Sequence, residues 1–414
     1  MKKLILSSIL LSFFFYQLQA QCPPGRYLNK TFSVDTIKNI VYGSNTPASG
    51  TGTTNLVMDI YRPAGDTFSF RPVVIFAHGG SFVAGDRQTS DMIKICAGLA
   101  ARGYVCASIE YRLENALAFV APNANELMVK EVVRAAQDGK AAVRFFRKDA
   151  ATTNTYKIDP TQIFFGGTSA GAILALHLAY MQETDPLPGT WVTWANAIGG
   201  FEGTSGNAGY PSNVKAVVSF AGGIGDTNWM NETNIPWTDF HSVNDGTVPD
   251  STGYPLGLST LPLLHGGRMM NRHGNSTGVY HEYWQFPGNN HPPFADGLAS
   301  TWDTIENRTV RFLYKNLECN PDHIILKIND YNFNSAAALS IYPIPTNDFL
   351  NIESINNEFI NQVDIIDVQG NVVFSSEVNQ LNSKQINVKD FTKGLYFIKI
   401  QMADKTYTAK FIKE

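Results

Sequence analysis

The sequence predicts an α/β fold, a mostly parallel β-sheet flanked by helices, followed by a small all-β sandwich. Three observations carry that expectation. Between residues 57 and 316, short apolar runs alternate with longer amphipathic ones, the pattern of buried strands joined by covering helices. After Cys319 the texture changes to acidic and Asn-rich residues interrupted by short alternating runs, which read as strands. The chain has 414 residues, 44% hydrophobic and 12% aromatic, which is ample for a packed core and too long for one typical compact domain. The expected division is a leader over 1–20, a main domain over 21–319, a linker over 320–338 and a β-module over 339–414.

The leader is read from Met1-Lys2-Lys3, the apolar residues 4–16, and a small residue, Ala20, at the expected cut. Gln21 stands where a lipid-modified Cys22 would need a small residue, so the mature chain is expected to begin unanchored at Gln21. No later stretch approaches the ~20 apolar residues of a membrane span. Export permits disulfides among Cys22, Cys96, Cys106 and Cys319, and the expected pairs are Cys22 with Cys319 and Cys96 with Cys106. With a formal net charge of −4 and 16% charged residues, no surface suited to nucleic acid is expected.

In chain order, residues 73–77 read as a strand, 91–102 as a helix stopped by Gly103, and 104–109 as the next strand. Residues 126–149 form a long helix whose Lys130, Arg134, Lys140, Arg144 and Lys148 are expected to face water. Residues 163–165 are a buried strand, 172–180 an apolar helix, and 182–211, rich in Gly, Pro, Asn and Trp, a loop or lid over a site. Further strands fall at 214–220, 237–240 and 279–286, and the closing helix at 302–317. In the β-module, 395–400 and 407–411 alternate as strands, with turns at Gln369-Gly370-Asn371 and Lys393-Gly394. The segments Tyr342-Pro343-Ile344-Pro345-Thr346-Asn347-Asp348, Val363-Asp364-Ile365-Ile366-Asp367-Val368-Gln369-Gly370 and Lys393-Gly394-Leu395-Tyr396-Phe397-Ile398 resemble the C-terminal sorting domain of the type IX secretion system. Ile344 stands where that family usually has Asn. The resemblance implies export by the type IX machinery, to the extracellular space or cell surface.

The chemistry centres on Gly167-Thr168-Ser169-Ala170-Gly171, a G-x-S-x-G match between a buried strand and an apolar helix. Reversing the chain from strand to helix in a few residues forces the central serine into a strained conformation and needs glycine where backbones approach. The serine then sits at a helix N-terminus, which favours negative charge. His78-Gly79-Gly80-Ser81 follows the strand at 73–77 and supplies a loop of backbone donors for an oxyanion; the expected donors are the amides of Gly80, Ser81 and Ala170. His78 itself is expected to brace that loop.

An acid and then a histidine should follow such a nucleophile. Asp245, in His241-Ser242-Val243-Asn244-Asp245-Gly246-Thr247-Val248-Pro249, is the expected acid, with Asp239 and Asp250 as competitors. His291, in the loop Pro287-Gly288-Asn289-Asn290-His291-Pro292, is the expected base. His281 lies within a strand and His265 and His273 within an expected helix, so each should be packed or solvated.

Together these segments, with Met58-Asp59-Ile60-Tyr61-Arg62-Pro63 and Ile158-Asp159-Pro160-Thr161-Gln162-Ile163, resemble the secreted carboxylesterases and lipases of the α/β-hydrolase superfamily, especially the hormone-sensitive-lipase and feruloyl-esterase-like branches. The resemblance spans residues 56–317 and implies an α/β-hydrolase fold with a Ser169-His291-Asp245 mechanism on an ester substrate, needing no metal or organic cofactor. A prolyl-oligopeptidase-type peptidase shares the serine motif, but the residues ahead of Leu56 are too few for its propeller. A binding protein on an inactive hydrolase scaffold would be expected to have lost one member of the set. The aromatics Trp191, Trp194, Phe201, Trp229 and Trp237 are candidates to line an acyl or sugar-ester site.

Overall fold

The computed structural model describes residues 22–23, 25–230, 235–320, 339–342, 346–354, 359–367, 371–402 and 405–414. The leader, Gln21, residues 321–338 of the linker, Pro343-Ile344-Pro345 and Val368-Gln369-Gly370 lie outside the described residues. Contacts divide the chain into two units, 1–323 and 324–414.

In the first unit the elements run β1 (Val34–Asn45), β2 (Thr54–Pro63), β3 (Arg71–Ala77), α1 (Ser90–Ala100), β4 (Val105–Ile109), α2 (Ala124–Ala151), β5 (Ile158–Thr168), α3 (Ala170–Tyr180), α4 (Gly189–Asn196) and β6 (Val217–Phe220). They continue with β7 (Gly223–Ile224), β8 (Trp237–Ser242), β9 (Thr252–Gly253), β10 (Leu264–Gly266), α5 (Gly267–Thr277), β11 (His281–Phe286) and α6 (Ala299–Lys315). An eight-stranded sheet has the order β1-β2-β4-β3-β5-β6-β8-β11. The pairs β1–β2 and β2–β4 are antiparallel, and every pair from β4 onward is parallel. The small strands β7, β10 and β9 form a separate sheet.

The central strands are continuously apolar because both of their faces are covered. Along β3, Val73, Ile75 and Ala77 enter the core shared with α2 and α3, while Val74 and Phe76 enter the core shared with α1 and α6. Helix α3 is buried along its whole length, which is why its sequence has no polar face. A Cys22–Cys319 disulfide, beside a hydrogen bond from Cys22 N–H to Cys319 O at 2.8 Å, ties the two ends of this unit together.

Three expectations are corrected. Cys96 on α1 and Cys106 on β4 are free thiols. Both are fully buried among apolar side chains, and burial pushes the Cys106 thiol well up, so the pair serves as core rather than as a bond. On α2, only Lys148 of the five cations is fully exposed. Lys140 and Arg144 are buried and, with Gln137 and Arg147, hydrogen-bond the carbonyls of residues 198, 200, 201, 202, 206, 211 and 213. Residues 182–211 are therefore a segment pinned to the flank of α2, carrying helix α4, and not a lid.

The second unit is all β. Strands β12 (Leu339–Tyr342), β13 (Phe349–Ser354) and β16 (Ser383–Asn387) form one antiparallel sheet. Strands β14 (Ile360–Ile366), β15 (Val372–Leu381), β17 (Gly394–Met402) and β18 (Lys405–Lys413) form another, in the order β15-β14-β17-β18. Leu350, Ile352 and Ile386 from the first sheet share one core with Val363, Ile365, Ile398, Ile400 and Phe411 from the second, which makes the unit a sandwich.

Candidate active site

The parallel strands deliver their functional residues at their carboxyl ends, where open α/β sheets place ligands. Ser169 sits between β5 and α3 with φ 55° and ψ −117°, a strained backbone for a non-glycine residue. The chain can turn so sharply because its flanks are glycine. A Cβ on Gly171 would lie 2.0 Å from the Ala77 carbonyl oxygen, and one on Gly167 would lie 2.3 Å from the Gly171 backbone. A hydrogen bond from Ser169 N–H to Phe220 O at 2.8 Å fixes the bend to β6.

His291 follows β11 and Asp245 follows β8. His291 Nε2 is 2.6 Å from Ser169 Oγ, and His291 Nδ1 is 2.6 Å from Asp245 Oδ2. The two loops are laced together by Ser242 Oγ–H donating to Asn290 O at 2.7 Å and Asn244 N–H donating to Gly288 O at 3.0 Å. The other carboxylate oxygen of Asp245, Oδ1, accepts from the amides of Thr247 (2.8 Å) and Val248 (3.1 Å). Burial alone would raise the Asp245 carboxyl, but hydrogen bonds from His241 and His291 hold it well below the usual carboxylate range.

The competing acids are engaged elsewhere. Asp250 pairs with Arg268 at 2.8 Å and accepts from the Tyr283 hydroxyl at 2.6 Å, and Asp239 accepts from Ser219 and faces His241. His281 stacks on Trp237 at 4.7 Å, and His273 lies on α5 as expected. His265 belongs to strand β10 rather than to a helix, bonded to Thr252 at 2.8 Å, because the helix starts only at Gly267.

The loop after β3 passes against the serine: a Cβ on Gly79 would lie 3.3 Å from the Ser169 Cβ. Gly80 (φ 122°), Ser81 (φ 56°) and Phe82 (φ 63°) all have left-handed backbone, which curls the loop toward Ser169. His78 is buried, stacks on Tyr111 at 4.5 Å and approaches the Gly79 carbonyl at 2.7 Å, while Tyr111 O–H donates to the His78 carbonyl at 2.9 Å. It braces the loop and stands apart from Ser169. Ala170 is the first residue of α3, so its amide has no intrahelical acceptor.

A cavity of about 60 Å³ opens at Ser169, between Ser81, Phe82 and Ala170 on one side and Met128, Val132, Ile173, Leu256, Leu261 and Leu264 on the other. Its walls are almost wholly apolar and come from the segments around Phe119, Met128 and Leu256 rather than from residues 182–211. Of the aromatics nominated above, none lines it. Trp237 is core, and Trp191 and Trp229 pack against each other at 6.2 Å, with Trp229 against His177. Phe82 and Phe119, which do line it, were not expected from the sequence, nor were the exposed Leu117, Val120, Tyr254, Leu256, Leu258 and Leu263 on those wall segments. The absence of charge from 115–125 and 251–264 was a legible signal of them.

The sheet order and the serine bend define the first unit as an α/β-hydrolase domain. Residues 58–244 match the BD-FAE family model, and residues 340–414 match the secretion system C-terminal sorting domain. The first match runs from β2 to the turn after β8, within the α/β-hydrolase unit, and the second covers the β-sandwich unit. It is 28% identical over 242 residues to a probable isoprenylcysteine α-carbonyl methylesterase of Oryza sativa subsp. japonica, covering 56% of this chain and 48% of that protein. It is 26% identical over 176 residues to the corresponding Arabidopsis thaliana methylesterase, covering 42% and 35%. The chain thus spans about half or less of the curated relatives it matches. Among solved structures it is similar to the propionate-bound esterase Est2 of the Planctomycetes species Thermogutta terrifontis, at 19% identity over 70% of this chain and 97% of that one, with a TM-score of 0.46.

Proposed function

We propose that the protein is a secreted serine carboxylic-ester hydrolase in which Ser169 is the nucleophile, His291 the general base and Asp245 the orienting acid. The observation that carries this reading is the unbroken hydrogen-bonded line from Ser169 Oγ through His291 to Asp245, at 2.6 Å for each step. His291 Nε2 removes the hydroxyl proton as Ser169 attacks the acyl carbon, and Asp245 stabilises the resulting imidazolium at Nδ1. The amides of Gly80, Ser81 and Ala170 receive the developing oxyanion at the N-terminus of α3. The imidazolium then protonates the departing alcohol, and water, activated by the same ring, releases the acid.

The substrates proposed are acetyl, feruloyl or other short-acyl esters of extracellular polymers, with the acyl group in the apolar cavity. The plant relatives are named for cleavage of a methyl ester, which supports ester chemistry here. A second reading, a lipase or polyester hydrolase, draws on the exposed apolar side chains of the cavity's wall segments, Leu117, Val120, Leu256 and Leu258 among them. For export, we propose a leader over 1–20, a catalytic domain over 21–319, a linker over 320–338 and a sorting domain over 339–414 that the type IX machinery reads.

The test is covalent labelling with a fluorophosphonate, followed by turnover of a graded series of acyl esters, acetylated and feruloylated xylan, and an emulsified triglyceride. Labelling of the intact protein that disappears in Ser169→Ala is expected. An unlabelled wild type would refute the hydrolase reading, and turnover confined to emulsified or polymeric aliphatic esters would select the second one.

A further inference from the structure

Behind the proposed acid lies a second imidazole that the reaction as written does not use. His241, near the end of β8, has no solvent exposure, and the polar groups facing its two ring nitrogens are all acceptors. Nδ1 is 3.1 Å from Asp239 Oδ2, while Nε2 is 2.9 Å from the Val248 carbonyl oxygen and 3.4 Å from Asp245 Oδ2. A neutral imidazole carries one N–H and one lone pair, so it would aim that lone pair at an acceptor. The far end of the cluster is closed as well: Asp239 Oδ1 accepts from the Ser219 hydroxyl, and Ser219 Oγ accepts from Gly222 N–H at 3.2 Å.

We propose that His241 is a buried, doubly protonated positioning residue, clamped between Asp239 and Asp245, that fixes the carboxylate of Asp245 for its work on His291. The proposal rests on the hydrolase reading above and adds a role for a residue that touches neither substrate nor Ser169. Nδ1–H of His291 donates to Oδ2, the His241 ring, whose Nε2–H is bonded to the Val248 carbonyl, stands 3.4 Å from the same oxygen, and two backbone amides hold Oδ1, so Asp245 cannot rotate without losing several contacts at once. The electrostatics agree. Burial pushes His241 down, but the adjacent Asp239 carboxylate overrides it and raises the ring to about 10.

The other ionisable groups around the cluster are accounted for. Tyr283 on β11 lies beside Asp239, and its hydroxyl donates to Asp250, which Arg268 on α5 neutralises. The cluster Asp239–His241–Asp245 therefore carries one net negative charge, and removing the imidazolium would leave it more negative. His291 would then hold its proton more tightly. A loosened Asp245 with no change of charge would have the opposite effect, since a weaker carboxylate contact lowers the His291 affinity for a proton.

Two measurements on the full chain test this. In ¹⁵N-histidine-labelled protein, with His241 assigned by its loss in His241→Gln, both ring nitrogens are expected to be protonated from pH 5.5 to 8.5. In kinetics with an activated ester, His241→Gln is expected to lower kcat at least tenfold, leave KM within twofold, and move the acid limb of kcat/KM upward by about one unit. A singly protonated ring would overturn the proposal, as would a kcat within twofold of wild type. If His241→Gln does not fold, Asp239→Asn supplies the assignment and should convert the ring to the singly protonated form; an unchanged ring would overturn the clamp. A wild type that neither turns over esters nor takes a fluorophosphonate would instead bring down the hydrolase reading and the positioning role with it. The ring spectrum would still decide the protonation state by itself.

Discussion

Substitution of Gly171 by alanine tests the serine bend most directly. A Cβ there would sit 2.0 Å from the Ala77 oxygen, 2.5 Å from the Ala77 carbon and 2.6 Å from the His78 oxygen, all backbone atoms with no rotamer to yield. Since real Cβ contacts essentially never fall under 3.0 Å, α3 must move from β3 by about 1 Å. Overpacking of that kind costs roughly 3 kcal/mol, the upper end of its usual range, because strand and helix are both locked into the core. The functional cost is larger than the stability cost suggests. Ser169 is carried on the moving element and His291 is not, and a misplacement of about 1 Å can cost on the order of 100-fold in rate.

The assay is urea denaturation together with kcat/KM on an activated ester, with Gly189→Ala as control. Gly189 is the first residue of α4, and a Cβ there meets nothing within 4 Å. That variant is expected to gain up to about 1 kcal/mol and keep full activity. A Gly171→Ala protein within about 1 kcal/mol of wild type and within fivefold of its activity would refute the close approach of β3, β5 and α3.

Asp245→Asn is expected to lower kcat/KM by about three to four orders of magnitude, because the amide cannot stabilise the imidazolium of His291, whereas Asp250→Asn should stay within a few-fold. Leu261→Trp should fill the cavity of about 60 Å³ and cut the hexanoate-to-acetate rate ratio at least tenfold; an unchanged ratio would place the acyl group elsewhere. Glu131, fully buried on α2 with Oε1 unpartnered, is raised by burial to about 8. The folded protein therefore binds a proton that the unfolded chain releases near its ordinary value, and stability from this group declines as pH rises from about 4.5 through 8. Glu131→Gln should flatten that decline, giving roughly 1–2 kcal/mol over wild type at pH 8.5 and little at pH 5, read by denaturation at the two pH values.

The features legible in the sequence were those set by local backbone chemistry. Gly167 and Gly171 flank Ser169 because no other residue fits, and Gly80 is needed where the backbone turns left-handed, so the bend and the adjacent loop could be read without coordinates. Asp245 was placed by its turn after β8, and His291 by its loop after β11. What escaped were pairings between distant segments. The cations of α2 look like a solvated face because helical periodicity does not say that the carbonyls of 198–213 will meet them. Cys96 and Cys106 looked bridgeable because adjacent elements do not reveal how two small buried side chains will pack. β1 went unread because it is an antiparallel edge strand with register shifts and only one fully buried residue, Tyr42.

His241 is hidden for a different reason: Asp239, Asp245 and the Val248 carbonyl are close to it along the chain, and only the turn after β8 brings the last two onto its ring. On β8 it is one more position in a strand buried on both sides, and its place in the strand alone does not distinguish it from the packed His281 on β11. Its meaning comes from β6 bringing Ser219 to Asp239 on one side while the turn at 245–248 folds Asp245 and the Val248 carbonyl back on the other. A buried apolar strand residue is specified by its own side chain, whereas a buried imidazole is specified by acceptors that the strand and the turn after it must fold around its ring. Ser169 is thus marked by five residues along the chain, whereas the support of Asp245 depends on the turn after β8 closing back on the strand. Substitutions at Ser219, which touches neither His291 nor substrate, should accordingly act on the reaction through Asp239 and His241.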